Sequence, residues 1–167
     1  MKKSLLGLTP EKINTILTDL GEKSYRTKQI FSALHMGFSF LEMTNLSKDL
    51  RERLQEEYSA VPVEIIKSIK SVDGTEKFLF KLEDGNVIEG VLMRYKYGAT
   101  LCVSTQVGCR MRCAFCASGL EGLIRNLTSA EILGEVVAVN RYCGGGLKDK
   151  RVVTNVVLMG SGEPLDN

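Results

Sequence analysis

The stretch that decides the fold reads Ala99-Thr-Leu-Cys-Val-Ser-Thr-Gln-Val-Gly-Cys109-Arg-Met-Arg-Cys113-Ala-Phe-Cys116. Its first six residues are mainly apolar or β-branched, a pattern that predicts a buried strand. Three cysteines then fall within eight positions, and thiolates so close in sequence can converge on one metal centre. Structural zinc sites and most iron–sulfur clusters take four protein ligands. Three local cysteines therefore indicate an iron–sulfur cluster in which one iron is left open for another molecule.

A zinc site is the main alternative, with Cys143, Cys102 or His35 as the fourth ligand. Without such a role, Cys102 and Cys143 are predicted to be small core residues. A disulfide framework is disfavoured, because the five cysteines are an odd number and the sequence shows no apolar signal segment. The clustered cysteines are therefore the candidate metal ligands.

Downstream of the cysteines, the sequence predicts a helix and a second strand. Thr128-Ser-Ala-Glu131 has the form of a capping box, and Gly144-Gly-Gly146 ends the helix that it opens. The helix carries a broad apolar face, made of Ile132, Leu133, Val136, Val137 and Val139. Thr154-Asn-Val-Val-Leu-Met159 reads as a second buried strand. Strand, loop, helix and strand in this order predict a βαβ unit with parallel pairing, and the cysteines then follow the carboxyl end of its first strand.

Gly160-Ser-Gly-Glu-Pro164 follows the second predicted strand and should reach the same end of the sheet. Glycines such as Gly162 let a ligand approach the backbone closely, and Glu163 offers a carboxylate to an ammonium group. The alternative is an ordinary turn at a strand exit, for which glycine and proline are common.

Upstream, residues 62–98 read as a β-meander, with hairpin turns at Asp73-Gly74 and Asp84-Gly85. Between these turns, Phe78, Phe80 and Leu82 alternate with the residues of the other face. Glu89 interrupts the apolar run of the third strand. It is either an outward-facing strand residue or a carboxylate in a partly desolvated pocket that could accept a proton.

Residues 1–61 read as three short helices with caps at Thr9, Ser24 and Ser47. The predicted organisation is therefore a helical unit at 1–61, a β-meander at 62–98 and a βα region at 99–167. This corresponds to an α+β portion followed by an α/β portion.

Composition indicates a globular protein without a membrane span, and the net charge of +2 does not by itself argue for nucleic-acid binding. Two local patterns leave such binding open. Arg26 and Lys28 lie near a predicted helix start, and Arg94-Tyr-Lys-Tyr97 interleaves cations with aromatic rings. Solvated surface charges and a basic edge strand are the respective alternatives.

The cysteine spacing, with an aromatic residue before the third cysteine, resembles the signature of radical S-adenosylmethionine (SAM) enzymes. With Val103-Ser-Thr-Gln-Val-Gly-Cys109, Gly122-Leu-Ile-Arg-Asn-Leu-Thr128 and Leu158-Met-Gly-Ser-Gly-Glu-Pro-Leu165, the sequence is similar to the RlmN/Cfr family over residues 20–167. The resemblance implies a 4Fe–4S cluster, SAM as cosubstrate and methyl transfer by way of a cysteine. It implies RNA as substrate, with C2 of an adenosine in 23S rRNA and tRNA modified by RlmN-type members and C8 by Cfr-type members.

The same resemblance implies roles for individual residues. Cys109, Cys113 and Cys116 would ligate the cluster, Gly162 and Glu163 would hold SAM, and Glu89 would handle the proton lost from the adenine. A flavodoxin or ferredoxin would supply electrons, and a cytoplasmic location is expected. The runner-up is a metal-stabilised nucleic-acid-binding module without catalysis.

A complete eightfold barrel takes about 250 residues, so residues 99–167 supply only about two βα units. We therefore expect the N-terminal portion of a partial barrel, with the methyl-carrying cysteine outside it. Such a portion is expected to be catalytically inactive. We also expect it to expose the apolar face of its helix and to self-associate through an open sheet edge.

Overall fold

The structure is a computed structural model that describes residues 2–145 and 151–167. Within these ranges, four α-helices and nine β-strands form a mixed α/β fold. In chain order they are β1 (Lys3–Ser4), α1 (Pro10–Asp19), α2 (Tyr25–His35), α3 (Lys48–Glu57), β2 (Tyr58–Ser59), β3 (Val63–Lys70), β4 (Glu76–Leu82), β5 (Val87–Tyr95), β6 (Gly98–Cys102), β7 (Gln106–Gly108), β8 (Leu123–Asn126), α4 (Ser129–Tyr142) and β9 (Asn155–Val157).

The helix starts follow the capping chemistry of the sequence in two of three cases. The Thr9 hydroxyl accepts from the Lys12 amide, and the Ser47 hydroxyl accepts from the Leu50 amide at 3.3 Å. Ser24 stands at the N-cap of α2, but its side chain makes no capping hydrogen bond because its backbone is already helical. The prediction of a side-chain cap there was wrong, although the helix itself begins at the next residue.

The helical unit has its own apolar core, and the short parallel pair of β1 and β2 closes it. Fully buried members include Leu6, Leu17, Leu34 and Phe40. Val137 of α4 also packs into this core, although it comes from the opposite end of the chain. The helical unit is therefore held against the rest of the molecule by apolar packing.

The second core lies between α4 and one face of a five-stranded sheet of order β3-β4-β5-β6-β9. The first four strands pair antiparallel, and β6 pairs with β9 in parallel. The predicted meander and the predicted βαβ pairing are therefore confirmed. Phe78, Phe80 and Leu82 are buried, as their alternation predicted. The sheet is continuous across residue 98, and the predicted division of the chain into three parts stays a prediction.

Helix α4 joins the two cores. The capping box is present: the Thr128 hydroxyl accepts from the Glu131 amide, and the Glu131 carboxylate accepts from the Thr128 amide. Farther along, Val139 is buried against the sheet. Arg141 donates to the Gly37 carbonyl and to the Glu42 carboxylate in the helical unit. The hydrogen bonds from Arg141 to the Glu42 carboxylate lower the pKa of Glu42 to about 2.

Two expectations about the βα region were wrong. The apolar face of α4 was expected to be uncovered, but Val137 and Val139 are buried because this helix packs on both the sheet and the helical unit. The strand predicted as buried over 154–159 is only three residues long, and Val156 is 45% exposed. Among the described strands, β9 lies at the edge of the sheet, so it has a neighbour on one side only. Gly144 ends the helix as predicted, while Gly146 lies outside the described residues.

Within the described residues, no helix has both the length and the apolar character needed to cross a membrane.

Candidate functional site

The cysteine loop, residues 109–122, is the connection of an antiparallel hairpin made by β7 and β8. The Cys109 amide donates to the Gly122 carbonyl at 3.1 Å and closes the base of the loop. We expected the strand before the cysteines to enter the loop directly. Instead, β6 ends at Cys102, and β7 leaves the main sheet to pair with β8. The loop is thereby held by a separate two-stranded platform.

The three clustered thiols differ in exposure. Cys109 is buried, Cys116 is half-buried and Cys113 is exposed. The Cys116 amide donates to the Cys113 carbonyl at 3.0 Å, and Arg112 has a left-handed backbone with φ +53°. The loop therefore turns tightly between the second and third cysteines.

No group of three or more His, Cys, Asp and Glu side chains is arranged to hold a metal ion within residues 2–145 and 151–167. The donor set nevertheless fits an iron–sulfur cluster in its chemistry, because it consists of three soft thiols on one short loop and one of them is exposed. Ligation by Cys109, Cys113 and Cys116 stays a prediction.

The segment Gly160–Pro164 packs directly against the link between β6 and β7. The Ser161 carbonyl accepts from the amides of Thr105 and Gln106, at 2.8 and 3.1 Å. A Cβ atom on Gly160 would lie 2.7 Å from the Val103 carbonyl oxygen, and one on Gly162 would lie 2.7 Å from the Thr105 hydroxyl. Glycine is therefore required here because two parts of this chain approach closely. The sequence suggested approach by a ligand as the reason.

Glu163 has a local structural role in addition to its predicted one. Its Oε1 atom accepts from the Leu165 amide at 3.0 Å and caps a 3-10 helical turn at Pro164–Asp166. Arg110 of the cysteine loop binds Asp166 through two nitrogens, at 2.6 and 2.7 Å, and its hydrogen bonds lower the pKa of Asp166. The two predicted cofactor segments are thus tied together. Contact of Gly162 and Glu163 with SAM stays a prediction.

Glu89 lies beside the cysteine loop. Its carboxylate is 2.8 Å from Lys77 Nζ, and its side chain is 52% exposed. With Ser118 of the loop and Ser161, it lines a cavity of about 490 Å³. The structure therefore brings Glu89, part of the cysteine loop and Ser161 to one cavity, whereas the three clustered cysteines, Gly162 and Glu163 are not among the residues that line it. The predicted role of Glu89 in proton transfer is not tested by this arrangement.

Cys102 and Cys143 have different surroundings. Cys143 packs against the sheet core, as predicted. Cys102 is half-buried and lies between Leu101 and Val103, whose side chains fill that core, so its own side chain projects from the opposite face of the sheet. The prediction of a core position was wrong for Cys102, because strand alternation places it on the face that also carries Glu89. Burial raises the pKa of both thiols.

The two candidate nucleic-acid patterns also have defined contacts. Arg26 donates to the Asn45 carbonyl and stacks on Tyr25, so part of its charge is used within the helical unit. Tyr95 and Tyr97 stack on one another with ring centroids 5.0 Å apart, and Tyr97 is 76% exposed. These contacts leave RNA binding by either pattern a prediction.

Sequence reasoning missed four polar residues that hold the site together, of which Ser104, Gln106 and Glu135 are buried and Arg125 is partly buried; for Glu131 it predicted the helix cap but not the contact with Arg125. Two signals could have revealed them. A Ser-Thr-Gln run continues a buried strand, and two glutamates one helical turn apart interrupt the apolar face of α4.

Arg125 of β8 is the centre of one such network. It contacts Asp84 in the β4–β5 turn at 2.6 Å and Glu131 in α4 at 2.7 and 2.9 Å. The hydrogen bond from Arg125 lowers the pKa of Asp84 to about 2. Through this network the return strand of the cysteine hairpin is fixed to both the sheet and the helix.

We predict that Arg125→Met lowers the free energy of unfolding by about 2–4 kcal/mol, because it leaves the buried Glu131 carboxylate without its cation. Urea denaturation at neutral pH measures this. The double variant Arg125→Met/Glu131→Gln should recover part of the loss. Wild-type stability in the single variant would show that the network contributes only exposed, screened pairs.

Comparison with solved structures identifies the class of protein that has this fold. A radical SAM methyltransferase from Sphaerobacter thermophilus is 39% identical, with a TM-score of 0.91 over 99% of this chain and 48% of that protein. The chain therefore has the mixed α/β fold of the corresponding half of a radical SAM methyltransferase.

Within that class, the resemblance to the RlmN/Cfr family predicted from the sequence is confirmed. Residues 3–59 match the ribosomal RNA large subunit methyltransferase N-terminal domain. Over 99% of its length, the chain is 50% identical to a probable dual-specificity RNA methyltransferase RlmN of Alkaliphilus oremlandii and 46% identical to that of Clostridium novyi. It spans about half the length of these relatives, 47% in both cases.

Proposed function

We propose that this chain supplies about half of a radical SAM enzyme that methylates C2 of an adenosine in 23S rRNA and in tRNA. The observation that carries the proposal is the shared cavity, in which Glu89 faces the cysteine loop and Ser161. A catalytic base must lie close to both the cofactor and the reacting atom, and the proposal is supported because Glu89 lines a cavity with the two segments that carry the candidate ligands. The resemblance to RlmN-named relatives favours C2 over the C8 position of Cfr-type members.

On this proposal, different residues of the chain bind the cluster and SAM. Cys109, Cys113 and Cys116 hold a 4Fe–4S cluster, and Gly162 and Glu163 hold the amino-acid end of SAM. When bound, the cluster and SAM supply one-electron reduction and the methyl group, with a flavodoxin or ferredoxin as electron donor.

Glu89 accepts the proton that leaves the adenine. Lys77, whose Nζ lies 2.8 Å from the carboxylate, orients it. On this proposal, the 167-residue chain does not methylate RNA by itself, because it spans only 47% of the relatives' length. The predicted cytoplasmic location stays a prediction.

A chimera tests the proposal. Residues 1–167 replace the matching part of the Alkaliphilus oremlandii relative, and the chimera is reconstituted anaerobically with iron and sulfide. With SAM, a reductant and 23S rRNA or tRNA transcripts, we expect methylation at C2, read by mass spectrometry of nucleosides deuterated at C2 or C8. The relative itself is the positive control. Loss of C8 deuterium would assign the Cfr-type reaction, and RNA binding without any methylation would favour the non-catalytic module.

Glu89→Gln in the same chimera is predicted to reduce the methylation rate about a hundredfold, because the amide cannot accept the proton. The variant should keep its iron content and SAM affinity. Lys77→Met is the matched variant: it leaves the carboxylate in place and should have the smaller effect. A Glu89→Gln rate equal to that of the wild type would remove Glu89 from the reaction.

A further inference from the structure

Ser104 connects three elements around the candidate site. Its hydroxyl donates to the Glu89 carbonyl of β5 at 2.7 Å and accepts from the Ser161 amide at 3.0 Å. Its own amide donates to Oε2 of Glu135 in α4 at 3.2 Å. The side chain is fully buried. Ser104 therefore fixes the spacing between the backbone that carries Glu89 and the segment that carries Gly162 and Glu163.

Glu135 lies beneath this junction. Its side chain is 0% exposed, and its Oε1 atom has no hydrogen-bond partner among the described residues. Burial raises the pKa of Glu135 to about 9, so the carboxyl group holds a proton at neutral pH. Burying such a group is unfavourable, and an apolar side chain of similar size would stabilise the core more.

The end of strand β6 explains why an acceptor is needed at this place. The Val103 amide donates to the Val157 carbonyl, and the Gly160 amide donates to the Val103 carbonyl. Beyond Val103 the chain leaves the sheet, so the next amide, that of Ser104, has no strand partner. Glu135 supplies the acceptor, and a buried amide without one would be destabilising.

We propose that Glu135 is a positioning residue: it binds the Ser104 amide and thereby holds the Ser104 hydroxyl between the Glu89 carbonyl and the Ser161 amide. The inference rests on the proposed function, since it assigns the effect of this contact to the SAM-binding segment. It predicts that changes in a helix residue that contacts neither cofactor nor substrate alter the binding of SAM.

The test uses two independent measurements on three variants: Glu135→Leu, Glu135→Gln and Ser104→Ala. The first measurement is hydrogen exchange at the Ser161 amide in the 167-residue chain. The second is SAM affinity of the reconstituted chimera by equilibrium binding. Glu135→Leu removes one hydrogen bond of the junction and Ser104→Ala removes two, so each should speed exchange and weaken SAM binding by about tenfold or more. Glu135→Gln keeps an acceptor oxygen and should remain within about twofold of the wild type.

Val139→Ala provides the matched control for general loss of stability. Val139 is one helical turn after Glu135 and is buried in the same core, but it has no hydrogen bond to the junction. This variant should lower the unfolding midpoint and leave SAM affinity unchanged. If it weakened SAM binding as much as Glu135→Leu, the role of Glu135 would be one of core stability alone, and the proposal would be overturned.

The two proposals fail in different ways. A wild-type chimera that loads the cluster but does not bind SAM would refute the proposed function, and exchange at Ser161 would still test the junction. A wild-type chimera that binds SAM, with Glu135→Leu unchanged in both measurements, would refute the positioning role alone. Failure of Glu135→Gln to restore either measurement would show that the hydrogen-bond acceptor is not what Glu135 provides.

Discussion

Replacement of Cys109, Cys113 and Cys116 together by serine is expected to abolish iron and sulfide binding and to leave the fold intact. Serine hydroxyls are hard, weakly acidic ligands and do not replace thiolates on iron. Cys109 is buried but belongs to neither apolar core, Cys116 is half-buried and Cys113 is exposed. The loss of metal should therefore occur without loss of secondary structure.

The measurement is anaerobic reconstitution of the 167-residue chain. The reconstituted wild type should take up about four iron atoms per chain and show a broad absorption band at about 400 nm. The triple variant should do neither. Its unfolding temperature without metal should stay within about 2 °C of the wild type. Cys102→Ser/Cys143→Ser is the matched control, because it also removes thiols and should keep the full iron content. Iron retained by the triple variant would end the cluster assignment, and zinc bound in its place by the wild type would favour the structural metal site.

Local sequence chemistry predicted the elements that frame the site. Thr9, Ser47 and the Thr128–Glu131 capping box cap the helices at the positions that the sequence predicted. The turns at Gly74 and Gly85 have the positive φ angles that glycine permits, and they set the register of the meander. These features depend on residues a few positions apart, so a sequence pattern contains all the information that they need.

Features that depend on distant parts of the chain could not be predicted in the same way. The β7–β8 platform pairs Gln106 with Asn126 across the whole cysteine loop. The two strands are only three and four residues long, and neither sequence clearly alternates between apolar and polar residues. The exposure of β9 follows from its place at the sheet edge, which its apolar composition does not reveal. The Cys102 error has a simpler cause: an apolar run shows that a strand is covered, but only its neighbours show which side faces the core.

The candidate site was predictable in its parts but not in its connections. The sequence separately indicated Glu89, the cysteines and the 160–164 segment, and in the structure Glu89 shares one cavity with Ser118 of the cysteine loop and with Ser161. The groups that hold them there, Ser104 and Glu135, gave no motif. The Glu135 carboxyl group accepts the hydrogen bond of one amide, that of Ser104, which has no partner in the sheet. An amide of this kind can be identified only when the pairing of the whole sheet is known.

The buried carboxyl of Glu135 should also make stability depend on pH. Its folded-state pKa is raised by burial from 4.5 to about 9, whereas the unfolded chain titrates near 4.5. Between these values the folded protein holds a proton that the unfolded chain has released. The free energy of unfolding should therefore fall as pH rises from about 4.5 to about 9, with a slope of at most about 1.4 kcal/mol per pH unit.

Comparison of the wild type with Glu135→Gln isolates this effect, because every other titrating group is common to both proteins. From pH 5.5 to 8.5, the stability of the wild type relative to the variant should fall by as much as about 4 kcal/mol, measured by urea denaturation at each pH. The charged group that acts on Glu135 is Glu131, one helical turn earlier, and Glu135 in turn contributes to the raised pKa of the Cys102 thiol.

Glu131→Gln serves as the control for the helix. Although burial opposes it, hydrogen bonds from Arg125 and Thr128 keep the pKa of Glu131 low, so this group is ionised in both states over the same range. The difference between the wild type and Glu131→Gln should then change much less with pH than the difference for Glu135→Gln, apart from the loss of the small effect of the Glu131 charge on Glu135. A constant difference for Glu135→Gln would mean that water or a conformational change reaches Glu135 and relieves its burial. In that case the junction at Ser104 would be looser than its hydrogen bonds indicate.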